Sequence, residues 1–334
     1  MSRTEPTSAF PADAPLPTAV RLVEVGLRDG LQSVATTLPT ARKLVLLEAL
    51  LEAGLRHIQV ASFVNPSRVP QMADAEALSV ALRPLADAYP DATFSGLALN
   101  LRGVERLAAA GLRHVDISLS ASEPHSQRNA GMSIAEAMRQ ITRSIHVALE
   151  FGLGVRAGVQ CVFGSASGEE VPVERVSQLA TALLEAGAGE LALADSAGLA
   201  DPLSLARTVE HVRADIGDVP LTLHLHDTRG LGMANFVTAL RLGVRSFDTA
   251  FGALGGCPFI PGAAGNIGTE DAVHLLAALG IDSGVDLAGV ARVTKLAEGW
   301  LAQHMPSSIY QLVQGAAGSD HQQSREDPIA TDSR

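Results

Sequence analysis

The chain has 334 residues, of which 47% are hydrophobic and 18% are charged, so it can bury the core of one large α/β domain or two smaller ones. Its formal net charge of −11 argues against nucleic acid as a partner, because phosphate binding requires a basic surface. The two cysteines cannot form a disulfide framework, which predicts a cytoplasmic protein. The apolar stretches are short and interrupted by charges, which predicts a soluble chain without a membrane span.

The two ends of the chain differ in composition from the rest. Residues 1–19 are rich in Pro, Ser, Thr and Ala and have no continuous apolar segment, which predicts a flexible leader rather than a signal peptide. Residues 313–334 are polar and lack apolar periodicity, which predicts a disordered tail. A single folded domain is therefore expected over residues 20–312.

Short β-branched runs alternate along this domain with helix-like segments rich in Ala, Leu, Glu and Arg, as in βαβ units. The eight predicted strands are Arg21–Val25, His57–Ser62, Thr93–Ala98, His114–Ser118, Gly154–Val162, Glu190–Ala194, Leu221–His226 and Ser246–Thr249. Four of the helix-like segments end in a glycine suited to a C-cap turn, namely Gly54, Gly111, Gly187 and Gly243. The recurrence predicts a closed (β/α)8 barrel of parallel strands. An open doubly wound sheet is the alternative, although GLRDGLQ stands where its dinucleotide-binding motif would be.

In a (β/α)8 barrel the catalytic groups lie at the C-terminal ends of the strands and in the loops that follow. Several polar residues of this chain fall at such positions. They are Arg28 and Asp29 after strand one, Gln59 and Ser62 at the end of strand two, Asp195 at the end of strand six, and His224 and His226 on strand seven. We therefore expect these side chains to face one mouth of the barrel.

His224 and His226 are separated by one residue on the seventh predicted strand. Side chains alternate along a strand, so the two imidazoles point to the same face. Because imidazole is the commonest protein ligand of metals, the pair predicts one wall of a metal site. The alternative is that both are ordinary polar residues at a strand end.

Asp29 would add a carboxylate to the two imidazoles, giving a ligand set suited to zinc, manganese or magnesium. Arg28, its neighbour, would be a permanently charged donor for an oxyanion or a carboxylate. The alternative for these two residues is a structural ion pair.

The segment after strand eight, GGCPFIPGAAGN, is a long loop punctuated by glycine and proline that could move over the mouth. Cys257 lies in it between Gly256 and Pro258, an exposed setting for a thiol, although a lone cysteine is often only a small buried residue. Asn266, at the end of the loop, could offer an amide oxygen to a metal or cap the next helix.

Five segments together resemble those of the 3-hydroxy-3-methylglutaryl-CoA lyases, which are metal-dependent TIM-barrel enzymes related to the Claisen-type synthases. The segments are VEVGLRDGLQ, SFVNPSRVPQMAD, SASEPHSQRNAGMS, HLHDTRGLGMAN and GGCPFIPGAAGNIGTED. The last segment is the most specific, and it favours the lyases over the condensing enzymes. Residues 20–312 would then form the lyase domain.

The resemblance implies one Mg²⁺ or Mn²⁺ per chain, held by Asp29, His224, His226 and Asn266. It also implies a retro-Claisen cleavage in which 3-hydroxy-3-methylglutaryl-CoA or a related 3-hydroxyacyl-CoA gives acetyl-CoA and a keto acid. A bound metal would act as a Lewis acid on the substrate hydroxyl.

The resemblance further implies roles for individual side chains. Arg28 would stabilise negative charge on the thioester enolate oxygen. Asp29 is the first candidate for proton shuttle and His224 the second, while Cys257 would act as general acid or exclude solvent. Arg28, Gln59, Ser62 and Asp195 are the expected substrate contacts.

The chain departs from the family pattern at several places, which affects the expected substrate. Gln59 stands where these lyases usually carry a glutamate, so the charge near the metal and the choice of substrate could differ. The segment Cys161–Ala166 differs from the usual C-x-x-G-C-P pattern, and Ala192 stands where the family tends to have serine. No basic segment near the C-terminus corresponds to the one that helps to bind CoA in relatives.

Two other functions use the same scaffold. An aldolase or Claisen-type synthase would consume acetyl-CoA and a keto acid, and a non-catalytic barrel would bind an acyl-CoA without turnover. Barrels of this kind often form homodimers through their outer helices, so we predict a homodimer. Trp300 could lie in that interface or pack in the core.

Overall fold

The computed structural model describes residues 15–165, 167–256 and 265–323. Within these residues eight strands, β1 to β8 in chain order, are Arg21–Glu24, His57–Ser62, Thr93–Leu97, His114–Ser120, Gly154–Gln160, Glu190–Ala194, Leu221–His224 and Ser246–Thr249. Each strand pairs in parallel with the next one, and β1 pairs in parallel with β8, which closes the barrel. The predicted (β/α)8 barrel is thus confirmed, and the open doubly wound sheet is excluded.

Twelve α-helices lie in the described part of the chain and surround the barrel. In chain order α1 to α12 are Thr40–Glu52, Ala75–Ala81, Arg83–Ala88, Leu101–Ala110, Glu123–Ala130, Ile134–Glu150, Val173–Glu185, Pro202–Ile216, Gly232–Arg241, Thr269–Ala278, Leu287–Leu301 and Ser308–Gln323. The last two are additional to the repeat: α11 packs against α1, and α12 packs against α10.

Apolar strand residues are buried on both faces, because one face fills the barrel and the other is covered by helices. The predicted limits of β2, β6 and β8 agree with the observed ones. The other strands differ from their predicted limits by one or two residues at the C-terminal end, where pairing yields to loops. The largest consequence is at β7, which ends at His224, while His226 forms an isolated bridge with Asn266.

The ends of the helices follow local signals in the sequence. The Asn100 side chain caps α4 by accepting a hydrogen bond from the backbone N–H of Gly103 (2.9 Å), and Ser133 and Glu136 form a capping box at α6. All four glycines predicted at C-caps have positive φ. At Gly54 a side chain is also excluded by space, because a Cβ atom would lie 2.1 Å from the carbonyl oxygen of Gly284.

The boundaries of the folded domain differ in part from those predicted. Helix α12 crosses residue 312, the predicted start of the tail, and continues to Gln323, while residues 324–334 lie outside the described part. Residues 1–14 of the predicted leader are also outside it, and Ala19 forms a bridge with Asp282. Of the described residues, none belongs to a helix long and apolar enough to cross a membrane.

Trp300 on α11 is partly buried against the core, and the guanidinium of Arg42 lies over its ring at 5.2 Å. Packing within the chain therefore explains this side chain, and the homodimer stays a prediction.

Glu24, the last residue of β1, is a buried acid that joins three segments beneath the C-terminal mouth. Its carboxyl accepts hydrogen bonds from the backbone N–H of Gly26 (2.6 Å), the backbone N–H of Phe251 (3.1 Å) and the hydroxyl of Thr269 (2.7 Å). Burial raises the pKa of Glu24 to about 8 and that of Glu270, a second buried acid nearby, to about 7. Glu24 is therefore mainly neutral at pH 7.

We predict that this acid makes stability fall as pH rises. Above its ordinary pKa of 4.5 the unfolded chain releases the proton that folded Glu24 retains up to about pH 8. Glu24→Gln keeps an acceptor oxygen and cannot ionise. From pH 6 to pH 8 the free energy of unfolding of wild type should therefore fall by about 2 kcal/mol relative to that of the variant. Thermal unfolding by calorimetry at both pH values measures this change.

Glu48→Gln is the matched control, because Glu48 is exposed on α1. It should leave the pH dependence unchanged. A difference between Glu24→Gln and wild type that is equal at the two pH values would contradict the prediction.

Candidate active site

A cavity of about 500 Å³ opens at the C-terminal end of the barrel. Five of the residues predicted from the sequence line it, namely Arg28, Asp29, Gln59, His224 and His226. The expectation that these side chains face one mouth agrees with this geometry. Their positions follow from the fold, because the ends of β1, β2 and β7 open into the same space.

Arg28 and Asp29 lie in a single π-helical turn, Gly26–Gly30, that follows β1 directly. Arg28 donates from Nη1 to Asp29 Oδ1 and from Nε to Gln59 Oε1. Burial opposes ionisation of Asp29, but Arg28 and the two histidines outweigh it and hold the pKa of this carboxyl well below its usual range. Asp29 is therefore a carboxylate at neutral pH. It is paired with Arg28 and still lines the cavity.

The two histidines converge through one nitrogen each. His224 Nε2 and His226 Nε2 are 3.0 Å apart, and the ring centroids are 5.0 Å apart. Burial, followed by the neighbouring His224, lowers the pKa of His226 to about 3, so its imidazole is neutral at pH 7. A metal ligand must be unprotonated at the binding atom, and one of the two nitrogens of a neutral imidazole meets this condition.

Asp29, His224 and His226 each offer one ligand atom, and these atoms lie within 4.8 Å of one another. We call these three residues the ligand group. One carboxylate and two imidazoles form a donor set that suits a divalent cation. The convergence of these three side chains supports the predicted metal site over the interpretation of His224 and His226 as unrelated polar residues at a strand end.

Asn266 lies beside the ligand group. Its Nδ2 donates to Asp29 Oδ2 (2.8 Å) and to the carbonyl oxygen of Leu254 (3.1 Å). Its Oδ1 is buried and accepts no hydrogen bond from the described residues. An orphaned acceptor beside three ligands fits a cation, because a cation can satisfy an oxygen that has no proton donor. The alternative role as a helix cap is excluded, since Gly268 occupies the N-cap of α10.

Gln59 lies at an irregular point of the sheet. The register between β2 and β3 shifts by one residue between Gln59 and Ala61, a distortion that re-aims side chains next to a site. Arg28 Nε can only donate, so the Gln59 atom that faces it must be the carbonyl oxygen. The amide nitrogen of Gln59 then makes no hydrogen bond to the described residues, and it belongs to a side chain that lines the cavity.

Two predicted substrate contacts do not line this cavity. Ser62 is fully buried at the end of β2. Asp195 follows β6 and accepts hydrogen bonds from the backbone N–H groups of Leu199 (2.8 Å) and Ala200 (3.0 Å). Burial raises the pKa of Asp195. The predicted contact of these two side chains with substrate therefore has no support in the geometry, and Asp195 instead orders the loop after β6.

The expectations for Cys257 and for the rest of the loop to Ala264 fall outside the described residues. The described residue Gly256, which precedes Cys257, lines the cavity. Ala192, a predicted departure from the family pattern, also lines it.

A charged layer that was not predicted from the sequence lies beneath the ligand group. Arg156 of β5 donates to Asp116 of β4 and, at 2.6 Å, to Asp248 of β8, and Asp248 lies 3.2 Å from His224 Nδ1. Burial opposes ionisation of Asp248, but Arg156 outweighs it and lowers the pKa of Asp248 to about 2. Each of these residues is a charged side chain inside an otherwise uncharged strand. Such a side chain must point into the barrel, because the other face of the strand is covered by helices, and this pattern could have predicted the layer.

Among known proteins, the profile of the family described as HMGL-like matches residues 19–297 of this chain. The chain belongs to this family. It is 39% identical over 304 residues to the (R)-citramalyl-CoA lyase of Chloroflexus aurantiacus, an alignment that covers 87% of this chain and 94% of that protein. The family resemblance stated from the sequence is thus confirmed, and this member of the HMGL-like family is a carbon–carbon lyase.

Solved structures agree with this assignment. The HMG-CoA lyase of Bacillus subtilis is similar with a TM-score of 0.86 and 35% identity, over 90% of this chain and 99% of that chain. An HMG-CoA lyase of Acinetobacter baumannii, solved in complex with coenzyme A and 3-methylmalate, is similar with a TM-score of 0.83 and 34% identity, over 88% of this chain and 95% of that chain.

We predict that removing one member of the ligand group abolishes metal binding. Asp29→Ala and His226→Ala should each weaken Mn²⁺ binding by more than about 100-fold, because losing even an outer-shell partner of a metal ligand costs about 10- to 100-fold. Electron paramagnetic resonance of free Mn²⁺ during titration measures the affinity.

His274→Ala is the control, since His274 is exposed on α10, and it should bind Mn²⁺ as wild type does. Wild-type affinity in either ligand variant would show that the metal lies elsewhere.

Proposed function

We propose that this lyase cleaves a 3-hydroxyacyl-CoA whose acyl group ends in a carboxylate, to give acetyl-CoA and a keto acid. The candidate substrates are 3-hydroxy-3-methylglutaryl-CoA, which would give acetoacetate, and citramalyl-CoA, which would give pyruvate. The names of relatives support both, since (R)-citramalyl-CoA lyase and HMG-CoA lyases are among the similar proteins. The complex of one relative with coenzyme A and a hydroxy dicarboxylate supports an acyl-CoA substrate.

The observation that carries the proposal is the meeting of a cation-binding half and an anion-binding half in one cavity. Asp29, His224, His226 and the orphaned oxygen of Asn266 would hold Mg²⁺ or Mn²⁺. A metal there would supply Lewis acidity that makes the substrate hydroxyl easier to deprotonate. Arg28, on the same wall, is the cationic donor for substrate oxygens.

The reaction breaks the bond between C2 and C3 of the acyl group as the hydroxyl proton leaves, and the resulting acetyl-CoA enolate then takes up a proton. Arg28 would stabilise the enolate oxygen, because its Nη2 makes no hydrogen bond to the described residues and is available as a donor. Asp29 is our first candidate for moving the hydroxyl proton, and His224 is the second.

Cys257 is our candidate for general acid or for excluding solvent. The support is its place in the sequence directly after Gly256, which lines the cavity.

We predict that the metal-loaded protein releases acetyl-CoA together with acetoacetate or pyruvate from 3-hydroxy-3-methylglutaryl-CoA or citramalyl-CoA. Mass spectrometry of both products, with each thioester supplied separately, measures substrate and reaction type together. Chelation with EDTA should abolish turnover, and Mg²⁺ or Mn²⁺ should restore it.

Two results would contradict this proposal. Net synthesis from acetyl-CoA and a keto acid, without cleavage, would indicate a Claisen-type synthase. Stoichiometric binding of the thioesters without any product would indicate a non-catalytic acyl-CoA-binding barrel.

Gln59 is our candidate for recognition of the substrate carboxylate. Its oxygen is committed to Arg28, so only its amide N–H groups are available to the cavity, and these can donate to an anionic oxygen. Arg156, the other arginine lining the cavity, is already paired with Asp116 and Asp248. The carboxylate is therefore expected on the side of Arg28 and Gln59.

We predict that Gln59→Leu lowers kcat/KM by about 10- to 100-fold, since a hydrogen bond to a charged group contributes about 1.5–3 kcal/mol. The variant replaces the amide donor with an apolar side chain that cannot donate to the substrate carboxylate. Steady-state kinetics at saturating metal concentration measure the loss.

Gln160→Leu is the matched control. It removes an amide from the same cavity, but the Gln160 amide nitrogen already donates to Ser118 Oγ (2.9 Å). An equal loss in both variants would mean that removing any amide from the cavity causes it and that Gln59 has no specific contact.

A further inference from the structure

We infer that Asp248 is a positioning residue for His224, and that it selects the imidazole tautomer with an unprotonated Nε2 directed at the ligand group. The consequence for metal affinity rests on the proposed metal site, whereas the tautomer itself does not. Nothing in the sequence patterns or in the names of relatives assigns a role to Asp248.

Strand pairing places the two residues side by side. In the register of β7 against β8, His224 is the partner of Asp248. Both side chains point into the barrel, and Asp248 Oδ2 lies 3.2 Å from His224 Nδ1. The other carboxyl oxygen, Oδ1, accepts a hydrogen bond from Arg156 Nη1 at 2.6 Å. Both oxygens of this buried carboxyl are therefore engaged by protein groups.

The chemistry of these contacts determines where the imidazole proton is. Asp248 is paired with the Arg156 guanidinium, and an ionised carboxylate can only accept hydrogen bonds. The proton of the shared hydrogen bond must therefore be on His224 Nδ1. In the neutral ring Nε2 then carries the lone pair, and Nε2 is the atom that faces His226.

The second histidine agrees with this assignment. His224 Nε2 has no proton in this tautomer, so at 3.0 Å it must accept one from His226 Nε2. His226 Nδ1 is then unprotonated, and it has no hydrogen-bond partner within the described residues. The two histidines thus differ: a carboxylate prepares His224 for a metal, while no described side chain does the same for His226.

Asp116 provides an internal comparison. It is buried and, like Asp248, it accepts a hydrogen bond from the Arg156 guanidinium, through Nε. Its other oxygen accepts from Ser95 Oγ at 2.6 Å rather than from a histidine. Asp116 and Asp248 therefore share burial and an arginine partner, and they differ in contact with the ligand group.

The test compares Asp248→Asn with Asp116→Asn. An asparagine at 248 can donate its N–H to His224 Nδ1 and so favour the tautomer that is protonated at Nε2, which cannot bind a metal. We expect Mn²⁺ affinity, measured by electron paramagnetic resonance, to fall about 10- to 100-fold in Asp248→Asn. Asp116→Asn loses a comparable ion pair and should stay within about three-fold of wild type. Equal losses in the two variants, or no loss in Asp248→Asn, would overturn the inference.

A second measurement needs no folded variant at 248. In the metal-free wild-type protein labelled with ¹⁵N-histidine, the imidazole ¹⁵N shifts of His224 should report a protonated Nδ1 and an unprotonated Nε2. His224→Gln assigns the signals. A proton on Nε2 of His224 would overturn the inference even if Asp248→Asn fails to fold.

The two measurements separate this inference from the proposed function. If wild-type protein binds no Mn²⁺, the proposed metal site fails. The ¹⁵N measurement of the His224 tautomer would still test the inference about Asp248, because it needs no metal.

Discussion

The parallel pairing of β1 with β8 is the constraint on which the candidate site depends. It joins segments from opposite ends of the domain, since Arg21 and Ser246, which pair in this register, are 225 positions apart. Closing the barrel brings the turn after β1 next to the end of β7 and the segment after β8. Asp29, the two histidines and Asn266 meet only because of that closure. In an open doubly wound sheet these residues would belong to strands that are not neighbours.

Buried carboxyl groups in this barrel take opposite protonation states, and the difference follows from their neighbours. Asp29 and Asp248 each lie against a guanidinium, which outweighs burial and keeps them ionised. Glu24 and Glu270 accept hydrogen bonds from neutral donors, and their charged neighbours are other acids, Glu270 for Glu24 and Asp271 for Glu270. Burial therefore dominates and raises the pKa values of both. Glu24, which is mainly neutral at pH 7, anchors the turns beneath the site, while the ionised Asp29 and Asp248 belong to the ligand group or contact it. One chain thus uses carboxyl groups both as uncharged structural links and as anions at a cation site.

The features that depend on sequence periodicity, such as the positions of the strands, were predictable. The directions of side chains at the strand ends were not. Alternation along the chain located the strands, and the spacing of His224 and His226 placed both imidazoles on one face. Spacing cannot show how far a strand end turns toward the axis. The positions of Ser62 and Asp195 at strand ends predict that both side chains face the cavity, yet neither lines it. Gln59 does line it, at a register shift that no residue pattern signals.

The charged layer was missed for a related reason. Asp116, Arg156 and Asp248 lie on three different strands, and each alone resembles an isolated charge in an apolar run. Only the closed barrel shows that the three compensate one another. Helix α12 was missed because its exposed residues, such as Leu312, lack a clear apolar stripe, although Tyr310 is buried. Its stability comes from packing against α10 rather than from local pattern.

Two amides beside the Arg28–Asp29 pair are oriented in opposite ways because these two adjacent residues carry opposite charges. Asp29 accepts hydrogen bonds, so Asn266 turns its nitrogen toward it and leaves its oxygen for a cation. Arg28 donates hydrogen bonds, so Gln59 turns its oxygen toward it and leaves its nitrogen for an anion. The Arg28–Asp29 pair in one helical turn therefore separates free acceptor atoms on one side of the mouth from free donor atoms on the other. The substrate that we propose matches that division, since its hydroxyl would lie with the proposed metal and its carboxylate with the donors.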